Sequence, residues 1–167
     1  VVRTPADRDA ALAYWDLAKT LGRCRDAASV LLRVIRAELM AGDTEHALAQ
    51  WTDLQAQLPN IAVETDLAAR LASALGDIGH TPEAADLVRI ALARVDIATP
   101  AAALVELMRA ARFADATVAA EVAARALAHP GLPLAVRHEL TNGTHGLTIT
   151  SLAPAKDAGA DAFGGLR

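Results

Sequence analysis

Apolar residues recur at helical spacing along most of the chain, from about residue 5 to about residue 129. The pattern is clearest in the segment 44–58, where they fall at positions i, i+4, i+7 and i+11 and therefore lie on one face of a helix. These residues are Ala47, Trp51, Leu54 and Leu58. The segment is predicted to be an amphipathic helix that buries this face against neighbouring helices.

The same pattern occurs twice more at a nearly constant interval. Ala84 stands 37 residues after Ala47, in a predicted helix over 82–95, and Ala119 stands 35 residues after Ala84, in a helix that precedes Pro130. The apolar spacing also predicts helices over 5–21, 27–40, 63–78 and 101–112. About seven helices are therefore expected.

Residues that begin or end helices separate these segments. Gly22, Gly42 and Gly79 follow periodic stretches, and glycine readily adopts the left-handed conformation that ends a helix. Side chains that can cap the start of a helix precede several segments. The predicted N-caps are Thr4, Asp43 and Thr81. Because short turns join amphipathic helices, neighbouring helices should run antiparallel.

The pattern changes after Pro130. A short helix is predicted over 134–140, followed by an Asn-Gly turn at 142–143. Residues 147–150 alternate between apolar and polar, which is typical of a short strand or an extended docking segment. Residues 153–165 offer little to bury and indicate a linker or tail. We expect a helical domain over 1–140 and an irregular C-terminal segment over 141–167.

Three stretches resemble the second helix of a tetratricopeptide repeat. In AGDTEHALAQWTDLQAQLPN the resemblance rests on the small-Gly-Asp turn at 41–43, the small Ala47, the large Trp51 and the terminating Pro59. Ala84 and Ala119 occupy the place of Ala47 in the other two stretches. The resemblance covers residues 26–130 and implies an all-α fold, an α-solenoid of antiparallel helix hairpins that forms a tetratricopeptide-like superhelix.

Composition limits the classes of function. The chain has 167 residues, of which 53% are hydrophobic, and its 16 basic and 20 acidic residues give a net charge of −4. This charge has the wrong sign for general binding to a phosphate backbone, so we expect no nucleic-acid partner. Charged residues interrupt every apolar stretch, so no direct insertion into a membrane is expected either. A cytoplasmic location is the corresponding expectation.

Few residues suggest catalysis or metal binding. Cys24 lies between two arginines, which can lower a thiol pKa, but an ordinary turn cysteine is the favoured interpretation. His138 and His145 could meet across a turn, although no two histidines have the i, i+4 spacing of helical metal sites. Gly76 and Gly79 lack the Lys-Ser/Thr pair of a phosphate loop and are interpreted as helix-ending glycines. We expect no enzymatic activity, no cofactor and no metal.

The resemblance implies a partner-binding surface. In a stack of hairpins the first helix of each pair lines a concave groove, where apolar side chains can dock a peptide and arginines can bind carboxylates. The candidate residues are Leu32, Arg36, Leu39, Met40, Asp66, Ser73, Asp77, Met108 and Arg112. For each apolar residue among them, an ordinary core position is the alternative.

These observations favour a non-enzymatic protein–protein interaction module that acts as a scaffold or adaptor and binds a protein or peptide. Self-association into a homo-oligomer is a further expectation. The alternative is a structural spacer or self-association domain of a larger enzyme or membrane protein. The sequence begins at Val1 without a methionine, which is compatible with a piece of a longer chain.

Overall fold

The computed structural model of the chain describes residues 4–142, and in this range it contains eight α-helices and no strand. The all-α class is therefore confirmed. The helices are α1 Pro5–Thr20, α2 Cys24–Ala41, α3 Thr44–Gln57, α4 Thr65–Asp77, α5 Thr81–Leu92, α6 Ala101–Ala110, α7 Ala116–Ala128 and α8 Leu134–Asn142, with a short 3-10 helix over Ala111–Phe113. The predicted turn at 142–143 extends beyond the described residues. The predicted alternating segment and the tail lie entirely outside them.

Glycine ends three of the helices, as predicted. Gly22, Gly42 and Gly79 have φ values of 67°, 81° and 90°, in the left-handed region. After each of them, the amide of the next residue donates a hydrogen bond to the carbonyl five residues earlier, at 2.8–2.9 Å. These bonds satisfy carbonyl groups that the end of a helix would otherwise leave unpaired.

The predicted N-caps are only partly correct. Thr4 caps α1 through a reciprocal pair of hydrogen bonds with Asp7. Asp43 occupies the N-cap position of α3, but its side chain contacts His46 instead of a backbone amide. The N-cap of α5 is His80 and not Thr81, because the helix begins one residue earlier than predicted.

The helices pack as sequential neighbours, with α4 at the centre. The helix α1 packs on α2, α2 on α3, α4 on both α5 and α6, and α6 on α7. The starts of α3, α5 and α7 repeat the intervals of 37 and 35 residues that separate the three alanines. Ala47 and Ala84 are fully buried and Ala119 nearly so, as close helix crossing requires.

The core is a single cluster of apolar, mostly aliphatic side chains that extends from α1 to α8 and includes Trp15 and Trp51. Its largest fully buried members include Leu31, Ile35, Leu71 and Leu107. The helix α4 is buried on most of its circumference, because its inaccessible residues occupy more than one face. They are Leu67, Ala68, Ala69, Leu71, Ala72, Ala74 and Leu75. Small side chains on α4 therefore allow α5 and α6 to approach it closely.

The role predicted for Gly76 is wrong. Gly76 lies inside the last turn of α4, and the ring of Phe113 occupies the space where a side chain would start. A Cβ atom at this position would lie 2.3 Å from the ring carbon Cγ. Gly76 therefore serves packing between α4 and the 3-10 helix, whereas Gly79 alone provides the left-handed helix end.

Candidate partner-binding surface

The predicted surface comprises the exposed sides of the first helices α2, α4 and α6, which we call the first-helix face. On α2 the side chains of Leu32 and Leu39 are half-buried, and Met40 is 69% exposed. Arg36 lies on the same side of α2, since residues four apart in a helix are neighbours. The helix therefore presents apolar side chains around one arginine.

Arg36 reaches across to the start of α4. Its guanidinium donates hydrogen bonds to the carboxylate of Glu64 at 2.5 Å and to that of Asp66 at 3.0 Å. Hydrogen bonding to Glu64 raises the pKa of Arg36 above its ordinary value. Two of the predicted residues, Arg36 and Asp66, are thus brought together, and they bind each other before any partner is present.

A second charged bridge joins α4 to α6. Arg70 lies 3.4 Å from the carboxylate of Glu106, which also accepts a hydrogen bond from Arg109 at 2.8 Å. The Glu106 side chain is only 17% exposed. Charged pairs therefore connect all three first helices across this face, and Arg70, Glu106 and Arg109 were not among the predicted residues.

Asp77 and Arg112 also meet. Their side chains form an ion pair at 2.7 Å, and the guanidinium carbon of Arg112 lies 4.5 Å from the centre of the Phe113 ring. Both side chains are more than half exposed. Arg112 is thus available at the edge of the face, with one carboxylate already bound.

Two predicted residues are less accessible. Met108 is 4% exposed and packs in the core, so it does not reach the first-helix face. The side chains that α6 presents there are those of Val105, Glu106 and Arg109, which are half-buried. Ser73 is half-buried on α4, and its hydroxyl has no hydrogen-bond partner among the described residues.

Polar side chains also join α1 to α2 and α3. Asp53 on α3 accepts hydrogen bonds from Trp15 Nε1 at 2.6 Å and from Lys19 Nζ at 2.8 Å. Partial burial acts to raise the pKa of Asp53, but these bonds outweigh it and the pKa lies below its ordinary value. The buried carboxylate of Glu38 on α2 accepts hydrogen bonds from Arg8 and Gln50.

A groove of about 680 Å³ lies beside α3 and α5 and was missed by the sequence analysis. Trp51, Leu87 and Ile90 contribute apolar lining, and Glu83 lies among the polar residues around it. The signal that could have revealed it is the linker over 58–64, which is much longer than the turns within hairpins. A long linker lets successive hairpins stand apart on one side.

Two of the residues considered for catalysis or metal binding, Cys24 and His138, lie in the described part of the chain. Cys24 is half-buried, and its sulfur lies 4.0 Å from the amide oxygen of Gln57. His138 is exposed on α8, whereas His145 lies outside the described residues. Between residues 4 and 142 no group of three histidine, cysteine or carboxylate side chains is arranged to hold a metal ion. None of the helices in that range is both long and apolar enough to cross a membrane.

The chain matches no protein-family model, no curated protein and no solved structure in the comparisons.

Proposed function

We propose that this chain is a non-enzymatic interaction module with a tetratricopeptide-like arrangement of hairpins, and that it binds a peptide or partner domain on the first-helix face. The observation that supports the proposal best is Met40, a large apolar side chain that is 69% exposed beside the half-buried Leu32 and Leu39. Methionine and arginine are enriched in protein interfaces, where an apolar centre is surrounded by a polar rim.

The charged residues would mainly orient the bound partner and contribute little to its affinity. Glu64 is 75% exposed, so a carboxylate of the partner can replace it on Arg36 while Asp66 remains bound. Such an exchange replaces one hydrogen-bonded pair with another and contributes little net free energy. Affinity would therefore come from apolar side chains that cover Met40 and Leu39, and Arg36 would select partners that carry an acidic residue nearby.

The experiment starts from peptides selected by display on the purified chain, followed by titration of synthetic copies. We expect Met40→Asp and Arg36→Glu to weaken binding by about tenfold or more. The matched control is Leu134→Asp, because Leu134 is 82% exposed and lies on α8, which is not one of the first helices. Circular dichroism of each variant verifies that the helices are retained.

Two outcomes would contradict the proposal. Selected peptides that bind the Met40→Asp and Arg36→Glu variants as tightly as the parent chain do not use the first-helix face. Peptides that lose affinity only for the Ile90→Asp variant bind the groove beside α3 and α5 instead.

A further inference from the structure

The outer face of α1 is apolar although no part of the described chain covers it. The helix buries Ala11, Trp15 and Ala18 against its neighbours. On an adjacent side, about a third of the way around the helix, residues spaced at three and four positions form a continuous uncharged stripe. These residues, which we call the α1 outer face, are Ala6, Ala10, Ala13, Tyr14, Leu17 and Leu21, and all are exposed.

The large side chains of this face are well exposed. Tyr14 is 45% exposed, Leu17 55% and Leu21 61%. Single exposed apolar residues are common on protein surfaces, whereas contiguous exposed apolar patches are typical of interaction sites. Among the described residues, α1 therefore has two apolar sides, one buried against its neighbours and one uncovered.

Small and large side chains are segregated along the α1 outer face. The N-terminal half carries only alanines, and the C-terminal half carries the tyrosine and both leucines. A two-fold axis between residues 13 and 14 would run two copies of α1 antiparallel. It would place Ala6 opposite Leu21, Ala10 opposite Leu17, and Ala13 opposite Tyr14, so that every large side chain meets a small one.

We infer that the α1 outer face is an interface between two copies of this chain, which pair through antiparallel α1 helices. The same patch meets itself across a two-fold axis, as in most homodimers. Large side chains set against alanines fill space without forcing the helix axes apart. This inference concerns a different surface from the first-helix face and does not depend on the proposed function.

The contact is small, so the dimer should be weak. The face extends over about 22 Å of helix, and symmetry doubles its three large and three small side chains. One pair of helices falls below the roughly 1,200 Å² that stable interfaces bury. We therefore expect a dissociation constant in the micromolar range or weaker, about 1 µM to about 1 mM.

Acidic residues along one edge of the face give the two kinds of partner, a second copy and a foreign basic helix, opposite salt dependence. Asp9 and Asp16 are exposed along the same edge, and Asp16 pairs with Lys19 at 3.0 Å. The two-fold axis brings the acidic edges of both copies together, so salt should strengthen the pairing by screening their repulsion. A partner helix with basic residues along this edge would instead bind more weakly as salt increases.

The experiment measures association by analytical ultracentrifugation of the whole chain over about 5 to about 500 µM, at low and high salt. We expect a monomer–dimer equilibrium that shifts towards dimer in high salt. Ala10→Leu should weaken it at least fivefold because two leucines then collide, although the variant is more apolar. Leu17→Ala should also weaken it, because two alanines leave a void.

The double variant Ala10→Leu/Leu17→Ala provides the decisive measurement. It exchanges the large and small positions, so each leucine again faces an alanine and the dimer should recover to within about threefold of the parent. The matched controls are Ala49→Leu and Leu134→Ala, which change exposed residues on α3 and α8. Monomer at every concentration, or Ala10→Leu that dimerises more tightly than the parent, would overturn the inference.

Discussion

The two junctions between successive first helices differ in how they are held together. The helix α4 packs closely along α6, and the ring of Phe113 fills the space above Gly76. The helix α2 touches α4 over a short stretch only, where Arg36 reaches Glu64 and Asp66. One junction therefore depends on buried apolar contact, and the other depends more on a half-exposed ion pair.

This difference predicts an uneven distribution of stability. Burial of apolar surface contributes far more free energy than an ion pair near the surface. The segment α4–α7 should therefore form the most stable part of the fold, and α1–α3 should open more readily from it. Four substitutions test this comparison, and they follow from the largest expected effect to the smallest.

Leu107→Ala should have the largest effect. Leu107 is fully buried on α6, so the substitution loses transfer free energy and leaves a cavity, at a cost of about 2–5 kcal/mol in the free energy of unfolding. Urea denaturation followed by circular dichroism measures it. Leu134→Ala, at a residue that is 82% exposed, is the control and should change stability by less than about 0.5 kcal/mol.

Gly76→Ala should destabilise the α4–α6 region by about 1–3 kcal/mol, because the added methyl group overlaps the Phe113 ring. Alanine normally stabilises a helix relative to glycine, so helix propensity alone would predict a gain in stability where we expect a loss. Phe113→Ala should remove the overlap, and Gly76→Ala in that background should become neutral or stabilising. Additive effects of the two substitutions would contradict the packing explanation.

Asp53→Asn should weaken the attachment of α1 by about 1 kcal/mol at neutral pH, because the variant loses the charge-assisted bonds of the carboxylate to Lys19 and Trp15. The effect is modest because the Asp53 side chain is 38% exposed. The pKa of Asp53 lies below its ordinary value in the folded chain. Its carboxylate therefore stabilises the fold above the unfolded pKa, and this contribution is lost as the pH falls through the folded pKa.

The pH profile of unfolding tests this sign. Between about pH 5 and about pH 2 the parent chain should lose more stability than the Asp53→Asn variant. Identical losses in the two proteins would mean that Asp53 is not responsible.

Arg36→Ala should have the smallest effect, about 0–1 kcal/mol, because the pair with Glu64 and Asp66 is partly exposed to solvent. Hydrogen exchange provides a sharper measurement than global unfolding. Amides of α2 should exchange faster in the variant while those of α6 stay unchanged. Equal acceleration in both helices would show that the two junctions open together.

Local signals in the sequence predicted the helices well. Gly42 and Gly79 ended their helices because only glycine adopts the left-handed conformation without strain. The capping of α1 by Thr4 followed from residues within three positions of each other. Such features depend on neighbouring residues, which the sequence gives directly.

The errors arose where distant residues decide the outcome. Met108 fits the apolar pattern of α6, but the register of that pattern against α4 determines whether it faces the core or the surface. Gly76 resembled a helix-ending glycine until Phe113, 37 residues later, was found against it. The bond from Trp15 to Asp53 spans 38 residues and has no local signal.

The sequence by itself determined that residues 4–142 are helical and that α3, α5 and α7 start at intervals of 37 and 35 residues, because helical periodicity, caps and left-handed glycines act over a few neighbouring positions. Only the tertiary structure decided that Arg36 and Arg112 are already bound to carboxylates, and that α1 leaves an apolar side uncovered. These features depend on how helices rotate and approach one another. That geometry is set by the summed packing of many side chains and by no single motif.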